Sequence, residues 1–226
     1  MCRRAAPRTV RRTSGCESCA RKRTGCRDAG SRRQARVEQR LVDIVAVLKE
    51  SILIPLAVKL SPFYSALPHL ASELDRMGAD GLVLFNRFYQ PGIDPVTRAP
   101  VPQLRYSDAS ELLLRLYWIA ILAGRVRPSL ALSGGAHEPL DAVNALMAGA
   151  DVVQLVSALL KDGPGRLTAI RDGFTRWGDE HGFASVGEMR GCVSLSNCHH
   201  PEGFERAGYV NVLQSGRFPA TPWAGH

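Results

Sequence analysis

The sequence lacks an apolar run long enough to cross a lipid bilayer, which takes about 18–20 consecutive apolar residues. The richest apolar stretch extends from Leu112 to Ala123, and it is interrupted by Arg115. The first residues have the positive charge of a signal peptide without the apolar core that such a peptide needs, although an Arg-rich organelle transit peptide stays open. We therefore expect no membrane partner and a cytoplasmic location.

The chain also has too little cysteine for a disulfide scaffold, with six in 226 residues. Four of them lie near the start: Cys2, Cys16, Cys19 and Cys26. The spacing Cys16-x2-Cys19-x6-Cys26 is that of half a fungal-type binuclear zinc cluster, which is a DNA-binding module. Such a cluster needs six thiolates and no second run follows, so we favour chance cysteines and expect no metal site.

Acidic residues are scarce in the first 40 positions, which hold 3 Asp and Glu against 13 Lys and Arg. This segment has almost no large apolar side chains and cannot form a core. The remaining residues carry a net charge of −2, so the overall charge of +8 belongs to the leader. We predict a disordered leader over residues 1–36 and no nucleic-acid partner, and a mis-translated leader stays open. A basic leader that binds nucleic acid or zinc is the alternative.

Short apolar runs alternate with segments of helical periodicity after the leader. Predicted strands begin near Leu56, Gly81, Leu130 and Val152, and the last is predicted to continue to Val156. This alternation indicates a parallel sheet with helical crossovers, as an open doubly wound sheet or as a closed barrel. The segment from Arg87 to Ser107 is too long for a plain connector, and we interpret it as a lid or substrate loop.

Polar and small residues fall just past the predicted carboxyl ends of these strands, where both architectures bind their ligands. They are Lys59, Asn86, the Ser133-Gly134-Gly135 turn, and Ser157 with Ala158. Paired glycines let backbone N–H groups approach an anion, and the start of the next helix adds its dipole. The last two strand ends therefore indicate a phosphate site.

Four segments occur in an order that resembles the C-terminal half of the dihydroorotate dehydrogenase family, in its bacterial dihydroorotate dehydrogenase-like branch. They are IPLAVKLSPF at 54–63, GADGLVLFNRFYQPGID at 78–94, SGG at 133–135 and GADVVQLVSALL at 149–160. The resemblance implies an α/β fold, a partial (β/α)8 TIM barrel of about the last four βα units. It also implies barrel residues 37–182 and a tail, 183–226, that packs on the barrel.

The same resemblance implies FMN as cofactor and the oxidation of dihydroorotate or a related dihydropyrimidine, with hydride transfer to the flavin. Lys59 would lie near the flavin pyrimidine edge, and Asn86 would bind the substrate. Without the resemblance, Lys59 reads as a lysine paired with a carboxylate and Asn86 as a turn residue. The remaining implied cofactor contacts, otherwise ordinary helix-capping residues, surround the phosphate: Ser133, Gly134, Gly135, Ser157 and Ala158. Val156 stands where many relatives have glycine.

In this family the catalytic base is a Ser or Cys on a loop that precedes the segment matching Val37, and nothing in residues 1–36 matches it. We therefore expect a truncated or frame-shifted chain with no catalytic base, weak or absent flavin binding by the monomer and no turnover. A homodimer that closes an eight-stranded ring from two halves would cover the open strand edges. A non-catalytic barrel remnant is the alternative to an enzyme.

Overall fold

The computed structural model describes residues 36–87, 89–204 and 206–215. The chain divides into two units, Met1–Leu41 and Val42–His226. The cysteines of the leader and most of its basic residues lie outside the described part of the chain. The predictions made for residues 1–35 are therefore not tested. None of the helices in the described ranges combines the length and apolar character needed to cross a membrane.

The described elements alternate between strands and helices. A first helix, α1, covers residues 36–51. The six strands are β1 (Ala57–Leu60), β2 (Gly81–Leu84), β3 (Gly92–Asp94), β4 (Ala99–Val101), β5 (Ser129–Ser133) and β6 (Val152–Gln154). The later helices are α2 (Leu67–Arg76), α3 (Leu112–Leu122), α4 (Pro139–Ala148), α5 (Ser157–Asp162), α6 (Gly165–Glu180), α7 (Val186–Met189) and α8 (Arg206–Ser215). Short 3₁₀ turns lie at Ala109–Glu111 and Pro201–Phe204.

The main sheet contains four parallel strands in the order β1, β2, β5, β6. Strands that are neighbours in this sheet also follow one another along the chain, apart from β3 and β4, which form a separate hairpin. The strand order therefore does not reverse. A doubly wound sheet reverses its order at a switch point, whereas a barrel adds each strand beside the last. The α/β fold class and the arc of a partial (β/α) barrel are confirmed.

One face of this sheet forms the core under the helices. Alternate strand residues, including Leu60, Leu82, Leu84 and Leu132, are fully buried there. Each such leucine contributes about 1.5–3 kcal/mol by leaving water. On the opposite face, Val83 in β2 is buried, whereas Lys59, its partner in the edge strand β1, is exposed.

Helix α4 has a glycine at its end and a capping box at its start. Helix α4 stops at Gly149, whose φ of +116° is left-handed, and an added Cβ there would lie 2.4 Å from the Cβ of Ala123. Glycine is the residue that adopts such a φ without strain. At the start of α4, Glu138 and Asp141 form a reciprocal capping box.

The long loop between β2 and α3 contains regular secondary structure, and its interpretation as a lid or substrate loop stays a prediction. It contains the antiparallel β3–β4 hairpin, in which the Asp94 carboxylate accepts hydrogen bonds from the turn residues Val96 and Thr97. Two expectations about strand ends were wrong. Lys59 is the third residue of β1 rather than a residue beyond it. Strand β6 ends at Gln154 instead of Val156.

The segment after α7 packs on α3 and α4 through backbone hydrogen bonds. Gly191 N–H donates to the Leu146 carbonyl at 2.8 Å, and Leu195 N–H donates to the Ala120 carbonyl at 2.9 Å. These contacts join residues 191–195 to the two helices, and the predicted domain bounds of the tail stay a prediction.

Candidate functional site

The Ser133-Gly134-Gly135 turn lies at the carboxyl end of β5, next to the end of β6. Ser133 is paired with Gln154 in the sheet, so the loops that follow these two strands are neighbours. Gly134 and Gly135 have φ values of +91° and +89°. In the described part of the chain, the N–H groups of Gly134, Gly135 and Ala136 donate to no other protein group. Consecutive free N–H groups of this kind form an anion-binding concavity.

Arg115 supports this turn from below. Its side chain is 6% exposed, and its Nε donates to the Ser133 carbonyl at 2.6 Å. An added Cβ on Gly134 would lie 3.0–3.3 Å from three guanidinium atoms, so a fixed positive charge sits directly under the turn. Burial lowers the pKa of Arg115, and the nearby Glu111 carboxylate opposes that change. The guanidinium still carries its charge at neutral pH because its ordinary pKa is very high.

Glu111 binds two arginines at once. One carboxylate oxygen accepts from Arg115 Nη2 at 3.0 Å, and the other accepts from Arg87 Nη1 at 2.7 Å. Arg87 directly follows Asn86. Glu111 therefore connects Arg115, which contacts the Ser133-Gly134-Gly135 turn, to the loop that carries the predicted substrate residue Asn86.

Ser157, the first residue of α5, is hydrogen-bonded to the loop before α3. The Ser157 hydroxyl oxygen accepts hydrogen bonds from Ser107 N–H at 3.0 Å and Ser107 Oγ at 2.9 Å. The proton of the Ser157 hydroxyl is left to donate to a further acceptor. Ala158 is buried, so only its backbone can face a ligand, while Val156 is 61% exposed and does not pack into the turn.

Lys59 lies in β1, which β2 separates from β5, and Asn86 follows β2, which pairs directly with β5. Lys59 is exposed on the open face of the sheet, and no carboxylate among the described residues pairs with it. The alternative of a structural ion pair therefore has no support in the described ranges. Asn86 N–H donates to the Leu60 carbonyl at 2.7 Å, which extends the β1–β2 ladder and leaves the Asn86 side chain exposed. These two residues share the carboxyl edge with the turn, and their roles stay predictions.

His137 holds the loop before α3 against the turn. Its Nε2 lies 2.7 Å from the Ser107 carbonyl, so that nitrogen carries the proton and donates. The His137 carbonyl in turn accepts two hydrogen bonds from Arg166, at 2.9 and 2.7 Å. A cavity of about 560 Å³ lies behind this contact, between the loop, the start of α4 and helix α6.

Metal ligands are not clustered in the described part of the chain, where no group of three His, Cys, Asp or Glu side chains could hold an ion. Cys192 and Cys198 are free thiols there.

Sequence reasoning missed Ser107, Glu111 and Arg115 as members of the site. The signal for Arg115 was visible, since a charged residue inside an otherwise apolar helix, four positions after Glu111, indicates a buried ion pair. The contact of Ser107 with Ser157 had no such signal.

The fold and this edge define the class: an α/β protein whose parallel βα units carry, at their carboxyl ends, a glycine turn with backbone N–H groups that are free in the described ranges. No family model matches the chain. Curated relatives are similar to it, among them the catalytic subunits of dihydroorotate dehydrogenase B (NAD(+)) from Geotalea uraniireducens and Pelobacter propionicus. They are 31% and 32% identical over 156 and 155 residues, which is 67% and 66% of this chain. The predicted resemblance to dihydroorotate dehydrogenases is confirmed.

The chain spans about half the length of the curated relatives it matches, with 50% of both proteins covered. Among solved structures, dihydroorotate dehydrogenase from Eimeria tenella in complex with ferulenol superimposes with a TM-score of 0.48 at 19% identity. The match covers 60% of this chain and 37% of that one. The ligand-free form of the same enzyme gives a TM-score of 0.49.

Proposed function

We propose that this chain is part of a flavin-dependent oxidoreductase of the dihydroorotate dehydrogenase type, with FMN as its cofactor. It would contain the residues that bind the FMN phosphate. The observation that carries the proposal is the row of free N–H groups at Gly134, Gly135 and Ala136 in the described part of the chain, together with the Ser157 hydroxyl, whose proton is left to donate. The similarity to dihydroorotate dehydrogenase B catalytic subunits supports it.

The residues present fit a bound phosphomonoester. A dianionic phosphate takes several hydrogen-bond donors, and backbone N–H groups at a helix start provide them at no cost in side-chain entropy. The buried Arg115 adds positive charge behind the turn. Ser133, Gly134, Gly135, Ser157 and Ala158 would hold the phosphate.

Lys59 would act at the other end of the cofactor. FMN, when bound, supplies the acceptor for a hydride removed from a dihydropyrimidine ring. An exposed lysine without an ion-pair partner among the described residues can stabilise negative charge at the edge of such an acceptor. Asn86 offers both a donor and an acceptor to the imide or amide edge of a substrate ring.

We further propose that the chain on its own turns over substrate weakly or not at all. The curated relatives extend over about twice the matched length, and a barrel active site draws its residues from the whole ring. The exposed edges of β1 and β6 are free to pair in the described sheet, and a homodimer that joins them would restore a closed arrangement.

The test is a titration of the purified full chain with FMN, monitored by quenching of flavin fluorescence. Saturable FMN binding, weak as expected for a monomer, that Ser157→Ala weakens further supports the proposal. The matched control is Ser72→Ala, because the Ser72 hydroxyl bonds only to the Pro68 carbonyl on α2. Absence of saturable binding overturns the proposal and favours a non-catalytic remnant.

A further inference from the structure

A cavity of about 270 Å³ lies at the amino-terminal end of the main sheet, at the opposite strand ends from the Ser133-Gly134-Gly135 turn. Leu130 near the start of β5 and Asp151 just before β6 line it, together with the loop after α3 and part of the segment 190–197. Sites for drug-sized ligands begin at about 300 Å³, so this cavity suits an ion or a small polar group. Barrels bind their substrates at the carboxyl ends of the strands, so a ligand at this end is not the substrate.

Ser194 is the buried polar residue of this cavity. It is 1% exposed, and its hydroxyl forms no hydrogen bond with any group in the described part of the chain. Its backbone is held in place, because its N–H donates to the Gly191 carbonyl at 3.0 Å and its carbonyl accepts from the Cys198 N–H at 2.8 Å. A buried hydroxyl without a partner costs free energy, and native proteins usually pair such a group. Ser194 lines the cavity, which is the space where a partner for its hydroxyl can bind.

Arg190 gives the cavity a positive charge with donors to spare. In the described ranges it pairs only with Asp151, through Nη1 at 2.6 Å. A guanidinium has five N–H groups, so four are left for a ligand. Arg127, the second arginine in the lining, is held by Asp75 at 2.9 Å and also keeps unused N–H groups. Each arginine is therefore held by one carboxylate and can still donate to a bound molecule.

The main acceptors around the cavity are already occupied. Asp151 is the one carboxylate among the described lining residues, and its Oδ1 accepts from Arg190 while its Oδ2 accepts from the Leu130 N–H at 2.8 Å. The Gly191 carbonyl accepts from Asn197 Nδ2 at 3.0 Å as well as from the Ser194 N–H. Spare donors beside occupied acceptors favour a ligand that only accepts hydrogen bonds. An oxyanion is such a ligand, and its bonds with a guanidinium are the strong, charge-assisted kind.

We propose that this cavity binds a small tetrahedral oxyanion, either a free phosphate ion or the phosphoryl group of a small phosphomonoester. Arg190 and Ser194 contact the oxyanion, and Asp151 positions Arg190 for that contact. The bound anion links the segment that contains Arg190 and Ser194 to the starts of β5 and β6. The inference goes beyond the proposed flavin function and does not depend on it, because the two sites lie at opposite ends of the strands.

The test is a titration of the isotope-labelled full chain with inorganic phosphate, in which two-dimensional NMR spectra record the amide resonances. Phosphate stabilises many proteins without a specific site, so a change in the thermal midpoint does not identify one. We expect saturable changes at the resonances of Gly191, Ser194 and Ser196. Sodium chloride at the same ionic strength should produce no saturable change at these residues.

Methyl phosphate, titrated in the same way, distinguishes the two sources of the anion. Binding as tight as that of inorganic phosphate, or tighter, assigns the site to the phosphoryl group of a larger molecule. Weaker binding assigns it to the free ion.

Variants of the two contact residues decide whether these side chains hold the anion. Ser194→Ala should weaken phosphate binding at this cavity about 10-fold or more, because it removes a hydrogen bond to a charged group. Arg190→Gln should weaken it by at least as much. Arg190→Lys should keep part of the affinity, since lysine retains the charge without the planar fork.

Ser72→Ala and Arg171→Gln are the matched controls. The Ser72 hydroxyl bonds to the Pro68 carbonyl on α2, and Arg171 pairs with its neighbour on α6, so neither residue lines the cavity. Both variants should bind phosphate as the native chain does. Circular dichroism checks that each variant is folded, and Arg190→Lys provides the comparison if Arg190→Gln is unfolded.

Absence of saturable changes at Gly191 and Ser194 in the native chain overturns the inference, as does a phosphate affinity there that is unchanged in folded Ser194→Ala. The resonances of Gly134 and Gly135 report on the glycine turn separately. Changes confined to that turn defeat the inference alone. Changes at Ser194 in a chain that shows no saturable FMN binding in the fluorescence titration defeat the proposed function alone.

Discussion

Ser107 donates two hydrogen bonds to the hydroxyl oxygen of Ser157, from its N–H at 3.0 Å and from its own hydroxyl at 2.9 Å. The two residues are separated by 50 positions, and they join the loop before α3 to the first residue of α5. The Ser107 carbonyl in turn accepts a hydrogen bond from His137 Nε2. Because both of its acceptor positions are filled, the Ser157 hydroxyl has only its proton to offer a ligand.

Replacing Ser157 by alanine should therefore weaken FMN binding about 10-fold to 150-fold, which corresponds to the roughly 1.5–3 kcal/mol of one hydrogen bond to a charged group. The flavin-fluorescence titration proposed above measures it. The Ser72→Ala chain should bind FMN as the native chain does. If Ser157→Ala binds FMN as tightly as the native protein, Ser157 does not contact the cofactor.

Gly135→Ala should destabilise the fold by about 2–4 kcal/mol, because it combines a left-handed backbone with a steric clash. The φ at Gly135 is +89°, and an added Cβ would lie 2.7 Å from the backbone nitrogen of Leu112. Urea denaturation monitored by circular dichroism gives the change.

Gly165→Ala is the matched control for that variant. Nothing lies within 4 Å of a Cβ added at Gly165, and its φ is not left-handed. Alanine there should be neutral or stabilise by up to about 1 kcal/mol. A loss of stability at Gly165 equal to that at Gly135 would show that the clash with α3 is not the cause.

The βα order of this fold could be predicted from the sequence because each strand is an apolar run bounded by turn residues. The segment Gly81–Leu84 is nearly all buried, and its lack of alternation is typical of a parallel strand covered on both faces. The hairpin of β3 and β4 could not be predicted, since strands of three residues with mixed polarity carry little periodic signal.

The site was predictable only where it depends on local sequence. The turn at Gly134 and Gly135 is local, and its conformation follows from the residue type. The Ser107–Ser157 contact and the Arg87–Glu111 pair depend on how distant loops meet, and no pattern within a short window encodes them, whereas Glu111 and Arg115 are only four positions apart. The sequence shows that Arg115 is charged, but only the fold shows that it lies under the turn.

Glu111→Ala should destabilise the protein by about 2–3 kcal/mol, because it leaves the buried guanidinium of Arg115 without its counter-charge. The Arg115 side chain is 6% exposed and Glu111 is 30% exposed. Adding Arg115→Met to Glu111→Ala should restore part of the loss, since the unpaired charge is then gone. Urea denaturation of the two single variants and the double variant measures this coupling.

The surface pair of Glu73 and Arg76 provides the comparison for Glu111. These residues lie three positions apart on α2, and the Arg76 side chain is 64% exposed. Glu73→Ala should leave the urea midpoint unchanged within error. Strictly additive effects of Glu111→Ala and Arg115→Met would contradict the coupling that the geometry indicates.

Asp80 should make the stability of the fold depend on acid pH. Hydrogen bonds from Lys49 Nζ and the Leu56 N–H, at 2.8 and 2.7 Å, hold the pKa of Asp80 below its ordinary value of 3.8. A carboxyl with a depressed folded pKa stabilises the native state above its unfolded pKa. That stabilisation is lost as the pH falls through the folded pKa, because the protonated group no longer attracts Lys49.

The thermal midpoint of the native chain should therefore exceed that of Asp80→Asn by a constant margin from neutral pH down to about pH 4, and the margin should shrink below that. Asp179→Asn is the control, since Asp179 forms no ion pair among the described residues. Its midpoint should follow the native curve at every pH. A margin between native and Asp80→Asn that stays constant into strong acid would mean that the Lys49 and Leu56 contacts do not favour the ionised carboxylate.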